Sequence, residues 1–87
     1  MMRIARTARF KKAWQELNEN EKQLARKAIT NLARDMRYPA LKVKKMQGVN
    51  NIWEARAGRS LRITFQITGD TIVLRNIGHH DETLGRP

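Results

Sequence analysis

The sequence predicts an α+β fold in which two N-terminal helices pack on one antiparallel sheet of about four strands. Apolar residues recur at helical spacing between positions 8 and 36, whereas apolar and polar residues alternate in short runs after position 51. A further strand-like run at residues 2–6 precedes the helices. The order is therefore β-α-α-β-β-β, and helices segregated from a run of strands are typical of one helical layer on one sheet.

The first helix is predicted over residues 8–17. Phe10, Trp14 and Leu17 recur at helical spacing, and Thr7 can cap the first turn. We therefore expect one amphipathic helix whose aromatic face belongs to the core.

The second helix is predicted to begin at Asn20, because Asn20 and Gln23 have the spacing of a capping box. It ends before Pro39, because the residue that precedes a proline is pushed out of the α region. Its apolar stripe is predicted to comprise Leu24, Ala28, Ile29, Leu32, Ala33 and Met36.

Three strands are predicted in the runs 52–56, 61–67 and 72–80, and the last run ends in two histidines. Residues 40–51 are predicted to be a connection, and residues 68–71 carry a tight hairpin signal. Alternation divides the middle run into two faces: Leu61, Ile63, Phe65 and Ile67 on one, and Arg62, Thr64 and Gln66 on the other. A half-buried sheet of this kind leaves its second face free for an anionic ligand.

Composition predicts one small domain, residues 1–87, that binds polyanions. Eighteen Lys and Arg face eight Asp and Glu, a formal net charge of +10, which attracts nucleic acid, an acidic protein or an anionic membrane surface. The alternative is a basic surface without a specific use. The absence of cysteine excludes disulfides and thiolate metal sites. No apolar run is long enough to span a membrane, and no signal peptide is evident, so we expect a cytoplasmic protein.

Candidate anion-binding residues lie on the polar positions of the strands. Glu54, Arg56, Arg62 and Arg75 would form a mixed but net positive surface. The alternative is a solvated face with cross-strand ion pairs. Further basic residues that could bind RNA are Lys42, Lys44, Lys45, Arg59 and Arg75.

His79 and His80 are candidate proton carriers, since their unperturbed pKa is the nearest to neutrality among the side chains of this chain. One histidine oriented by a carboxylate and the other facing a phosphate would suit acid–base chemistry. Adjacent histidines point in different directions and no cysteine is present, so we expect neither a metal site nor a cofactor. The alternative is a polar terminus after the fold is complete.

Several segments together resemble the RelE/ParE superfamily of type II toxin–antitoxin toxins. The resemblance covers nearly the whole chain, and no single segment is diagnostic. The segments are residues 10–12, 41–48, 53–58, 61–65 and 77–82, together with the early strand and the long helix. The resemblance implies an architecture like that of compact microbial ribonucleases. It also implies the activity of the RelE branch, which cuts mRNA on the ribosome.

The resemblance also implies a mechanism and a set of residues. The family's basic pair on the second strand falls on Glu54 and Arg56, its third-strand arginine on Arg62, and its pair after the final glycine on His79 and His80. The ribose 2′-hydroxyl would attack the adjacent phosphate without a metal. The arginines would stabilise the transition state, a histidine would move a proton, and Glu54 could be the base.

Two positions depart from the family pattern. Glu54 is acidic where the family has a basic residue, and Leu84 stands near the position of a terminal aromatic that stacks on a base. The resemblance implies two kinds of partner: an acidic antitoxin, which would form a hetero-oligomer with the toxin, and the ribosome with its mRNA. It implies no contact with a membrane. Two alternatives remain open: a non-catalytic ParE-like toxin that inhibits DNA gyrase by protein contact, and a basic RNA-binding module.

Overall fold

The computed structural model describes the backbone of residues 1–87 and every side chain except that of Glu82. A five-stranded sheet with the strand order β1-β5-β4-β3-β2 carries the two long N-terminal helices on one face. The elements in chain order are β1 (Arg3–Arg6), α1 (Ala8–Gln15), α2 (Glu19–Arg34), a 3₁₀ turn (Pro39–Leu41), β2 (Lys44–Lys45), β3 (Trp53–Arg56), β4 (Leu61–Thr68), β5 (Thr71–His79) and α3 (His80–Gly85).

The predicted α+β class is confirmed, and three details differ. The sheet has five strands because the short β2 lies within the segment predicted to be a connection and pairs with β3. The sheet is mixed, since β1 pairs with β5 in the parallel direction. The last residues form α3, where no helix was predicted. The hairpin between β4 and β5 is as predicted.

Side-chain caps fix where both long helices begin. The Thr7 hydroxyl accepts a hydrogen bond from the Phe10 N–H at 3.0 Å, as predicted. The start predicted at Asn20 is wrong, because α2 is capped by Asn18. Asn18 Oδ1 accepts from the Glu21 N–H at 2.8 Å, and Glu21 Oε1 accepts from the Asn18 N–H at 2.9 Å. Asn18 has the extended backbone that an N-cap residue adopts, with φ −76° and ψ 173°.

The core lies between the two long helices and one face of the sheet. Ile63, Phe65, Ile72 and Leu74 are fully buried on the strands, and Phe10, Ala25 and Leu32 meet them from the helices. Leu24, which was predicted to belong to the α2 stripe, is 40% exposed, whereas its neighbour Ala25 is fully buried. Ala28, Ile29, Leu32 and Met36 of the predicted stripe pack in or against this core, and Ala33 is buried.

The second face of β4 is covered rather than open. Arg62 is 5% exposed and Thr64 0%, although both alternate with the core residues as predicted. The covering element is α3 with the two residues that follow it, Arg86 and Pro87, hereafter the C-terminal segment. The carbonyl of Pro87 accepts from Thr64 at 3.5 Å. A sheet face that sequence alternation marks as solvent-accessible is therefore partly buried.

Candidate active site

The candidate site is the sheet face opposite α1 and α2, hereafter the polar face. Strand pairing arranges it in two cross-strand rows. The first row runs Lys44, Glu54, Thr64, Asn76, and the second runs Arg56, Arg62, Gly78. Two arginines thus lie directly opposite each other on adjacent strands, next to a carboxylate in the neighbouring row.

Arg62 is the buried member of the arginine pair. Its Nη1 donates to the carbonyls of Gly58 at 3.1 Å, Arg59 at 3.3 Å and Leu61 at 3.1 Å, so it ties together the turn between β3 and β4. Burial lowers the pKa of Arg62, the positive charge of Arg56 lowers it further, and Glu54 opposes both. The guanidinium is therefore a fixed cation, and its burial and the neighbouring positive charge of Arg56 both disfavour its charged form.

Arg56 and Glu54 differ in exposure although they belong to one strand. Arg56 is exposed, whereas Glu54 is 8% exposed. Lys44 Nζ lies 3.6 Å from Glu54 Oε1 across the β2–β3 ladder. The acidic residue at a basic family position therefore lies beside a lysine on the neighbouring strand, and this end of the polar face carries both signs of charge.

A β-bulge brings Arg75 to the same face. Thr64 pairs with Asn76 and Phe65 with Leu74, so Arg75 has no direct partner on β4. Its Nη1 donates to Gln66 Oε1 at 2.9 Å, and its Nε donates to the carbonyl of Pro87 at 3.1 Å. Arg75 therefore belongs to the polar face as predicted, but its guanidinium is engaged within the chain.

The C-terminal segment covers the β5 side of the polar face. The carbonyl of Arg86 accepts hydrogen bonds from Asn76 at 2.9 Å and from Arg9 of α1. Thr83 is 1% exposed, and a Cβ at Gly78 would lie 2.7 Å from its hydroxyl. Only a glycine at position 78 lets α3 pack this closely on β5. The open part of the polar face is thus its β3 side, where Arg56 lies.

The structure separates the two histidines. Pairing with buried Leu61 places His79 on the helix side of the sheet. His79 Nε2 lies 3.2 Å from Glu21 Oε2 of α2, and its Nδ1 lies 3.4 Å from Ser60 Oγ. The capping carboxylate of α2 therefore also holds the end of β5. The structure does not bring His79 together with Arg56 and Arg62.

His80 is the first residue of α3 and is exposed. Its N–H donates to the carbonyl of Ser60 at 2.7 Å, and its Nδ1 lies 3.1 Å from Asp81 Oδ1. The backbone contact fixes His80 just beyond the Leu61–His79 pair that ends the β4–β5 ladder, and the Arg62–Gly78 pair comes next along that ladder. Of the two histidines, His80 is the one that stands at the edge of the polar face.

The remaining basic candidates lie on different surfaces. Lys44 lies in the polar-face row, whereas Lys45 pairs with Trp53 and points to the opposite side of the two-residue strand β2. Lys42 and Arg59 line a groove at the β3 end, together with Arg56. The predicted RNA-binding residues therefore lie on three different surfaces: the polar face, the opposite side of β2, and the groove.

Sequence reasoning missed Glu21, Ser60 and Thr83. Glu21 could have been found from the sequence, because Asn18 and Glu21 also have the spacing of a capping box. Ser60 and Thr83 carry no such signal, since their contacts depend on how distant segments pack. Among the described side chains, no group of three or more His, Asp or Glu lies close enough to hold a metal ion. No helix in the described chain is both long and apolar enough to cross a bilayer.

The fold is the one that the resemblance to the RelE/ParE superfamily implies, and solved toxin structures share it. The chain is similar to RelE in the RelB–RelE antitoxin–toxin complex of Methanococcus jannaschii, with a TM-score of 0.77, 20% identity and coverage of 95% of this chain and 99% of that one. It is similar to YafQ of E. coli, with a TM-score of 0.79, 14% identity and coverage of 95% and 98%.

A third similar structure is a metal-bound toxin from Helicobacter pylori, with a TM-score of 0.78, 26% identity and coverage of 94% and 98%. No protein-family model and no curated protein matches the sequence. The similarity is therefore mainly one of fold, which extends over nearly the full length of each compared chain.

Proposed function

We propose that this protein is the toxin of a type II toxin–antitoxin system and acts as a metal-independent endoribonuclease on ribosome-bound mRNA. The observation that carries the proposal is the Arg56–Arg62 pair on the polar face of a RelE-like fold. One arginine is exposed and can meet a phosphate, and the other is a buried cation fixed by three carbonyls.

In the proposed reaction, the ribose 2′-hydroxyl attacks the adjacent phosphorus and the 5′-oxygen of the next nucleotide leaves. The pentavalent transition state carries extra negative charge, and Arg56 and Arg62 supply fixed positive charge for it. Glu54 accepts the proton of the 2′-hydroxyl, and His80 donates a proton to the leaving oxygen. The products are a 2′,3′-cyclic phosphate and a 5′-hydroxyl, so this step consumes no water.

We further propose an acidic antitoxin as the partner that holds the toxin inactive. The net charge of +10 favours an acidic amphipathic helix that wraps the basic body. Two of the similar structures are toxins in complex with RelB or DinJ antitoxins. Their complexes support the same kind of partner for this chain.

The test is cleavage of mRNA in a translation extract, mapped by primer extension. Arg56→Gln removes an exposed cation without a core cavity, and we expect cleavage to fall by about 10²–10³-fold. The matched control is Arg3→Gln, which removes an exposed arginine at the opposite edge of the sheet and is expected to cleave like the wild type. An uncut mRNA with the wild-type protein, together with inhibited gyrase supercoiling, would replace the proposal with the non-catalytic alternative.

A further inference from the structure

A basic groove with an exposed aromatic residue lies beside the candidate site. It has a volume of about 410 Å³ and lies between α2, the 3₁₀ turn and the turn from β3 to β4. Its apolar walls are Tyr38 and Leu24, which are 45% and 40% exposed. These two and Met1 are the exposed large apolar residues among the described side chains. Tyr38 and Leu24 thus place two of these exposed apolar side chains in one groove.

The charge of the groove selects an anionic occupant. Four cationic residues line the groove: Lys27, Lys42, Arg56 and Arg59. Among the described residues, no carboxylate lines it. Arg56 also belongs to the polar face, so the groove continues the candidate site. A polyanion bound at Arg56 would meet the other three cations next.

The backbone holds Tyr38 and Lys42 in fixed places on the groove. Leu41, between them, is 2% exposed and anchors the 3₁₀ turn in the core. The Leu41 N–H donates to the Tyr38 carbonyl at 3.0 Å, and the Lys42 N–H donates to the Pro39 carbonyl at 3.2 Å. Lys42 itself has a φ of +44°, a conformation that lysine rarely adopts. The aromatic ring and the cation are therefore presented by an ordered turn.

The opposite wall is packed against the β3–β4 turn. A Cβ at Gly58 would lie 3.2 Å from Leu24 Cδ1, so Leu24 lies close over the glycine. The Gly58 carbonyl accepts from Arg62, which links this wall to the buried member of the arginine pair. The groove and the polar face thus share a turn and a cation.

We infer that this groove binds a nucleotide of single-stranded RNA that flanks the scissile phosphate, with its base stacked on Tyr38 and its phosphates at Lys27, Lys42 and Arg59. The inference rests on the proposed function. Aromatic rings that alternate with cations suit a strand of RNA, because every base has a face that stacks and every link is anionic. An acidic helix is the less suitable occupant, since the groove offers only two exposed large apolar side chains against four cations.

The test measures binding of the full-length protein to a 2′-O-methyl RNA octamer, which lacks the attacking hydroxyl and so separates binding from cleavage. Tyr38→Leu keeps an apolar side chain and loses the ring, and we expect its affinity to fall about fivefold or more. Tyr38→Phe keeps the ring and is expected to restore most of the affinity. Equal affinities of the wild type and Tyr38→Leu would overturn the inference, as they are the outcome for a groove that takes an acidic peptide.

A second experiment tests the cations of the groove with two triple variants that have the same net charge. Replacing Lys27, Lys42 and Arg59 by Gln should flatten the dependence of log K on log salt by about 0.7 for each lost phosphate contact. The control replaces Arg3, Lys11 and Arg34 by Gln, three exposed residues outside the groove, and should flatten it less. Equal slopes for the two triple variants would contradict the groove.

The same proteins separate this inference from the proposed function. A wild type that binds the octamer through Tyr38 but leaves mRNA uncut in the translation extract would overturn the nuclease proposal and retain the groove. A wild type that cuts mRNA while Tyr38→Leu binds and cuts equally well would overturn the groove and retain the nuclease.

Discussion

Arg62 combines a structural task with its proposed catalytic one. Its guanidinium is buried and ties three carbonyls of the β3–β4 turn, which differs from the exposed side chain that alternation predicts. A residue of this kind cannot be truncated as a purely catalytic probe, because the carbonyls lose their donor.

We therefore expect Arg62→Ala to lower the free energy of unfolding by about 1.5–3 kcal/mol in urea denaturation, since hydrogen bonds from a charged donor are lost. Arg56→Ala, on the exposed member of the pair, should change it by less than about 0.5 kcal/mol. Equal stabilities of the two variants would show that the turn does not depend on Arg62.

The two histidines are expected to differ in activity because they stand on different sides of the sheet. His80→Gln should lower mRNA cleavage by about 10²–10⁴-fold with little change in stability. His79→Gln should have a much smaller effect on cleavage, since its ring contacts Glu21 and Ser60 on the helix side. The comparison needs cleavage rates and urea midpoints for both variants. A larger loss of cleavage in His79→Gln would reverse this assignment.

At the level of elements, one side chain decides where α2 begins. Asn18→Ala removes the cap and should destabilise the protein by about 1 kcal/mol in urea denaturation. Asn20→Ala is the matched control, because Asn20 lies inside the first turn of α2 and is exposed. It should change stability by less than about 0.5 kcal/mol. If Asn20→Ala lowered the free energy of unfolding more than Asn18→Ala, the cap of α2 would be Asn20 and not Asn18.

The docking of α3 depends on the bare backbone at Gly78. Gly78→Ala places a Cβ 2.7 Å from the Thr83 hydroxyl, so we expect α3 to loosen and the C-terminal segment to become more sensitive to limited proteolysis. Combining it with Thr83→Ala removes the clashing oxygen and should restore part of the protection. Protection that is unchanged in Gly78→Ala would mean that the close packing of α3 is not required.

At the level of the whole molecule, the charge of +10 is distributed over several surfaces. Lys44 and Lys45 are adjacent and point to opposite sides of β2. We expect Lys44→Gln to lower the magnitude of the salt slope of RNA binding by about 0.7, the contribution of one phosphate contact to a single strand. Lys45→Gln should leave the slope nearly unchanged. Equal effects would show that the attraction depends on total charge alone.

Local pattern in the sequence was sufficient for most of the architecture. The helical and alternating periods predicted the order of all helices and strands except β2 and α3, the α+β class, the core face of β4, the Thr7 cap and the hairpin at residues 68–71. These features depend on neighbouring residues, so a window of ten or fifteen positions contains their causes. The start of α2 was missed because two capping boxes, Asn18 with Glu21 and Asn20 with Gln23, begin two residues apart, and the local pattern fits both.

What the sequence alone determined is therefore the fold class, the net charge and the residues that share the polar positions of the strands. The tertiary structure decided which of those residues are accessible. Docking of the C-terminal segment buries Thr64 and engages Arg75, and Glu21 of α2 meets the ring of His79 on the helix side. These contacts join residues at least 12 positions apart, and no local periodicity records them. The physical reason is that accessibility depends on the segment that covers a face, whereas alternation specifies only the direction of a side chain.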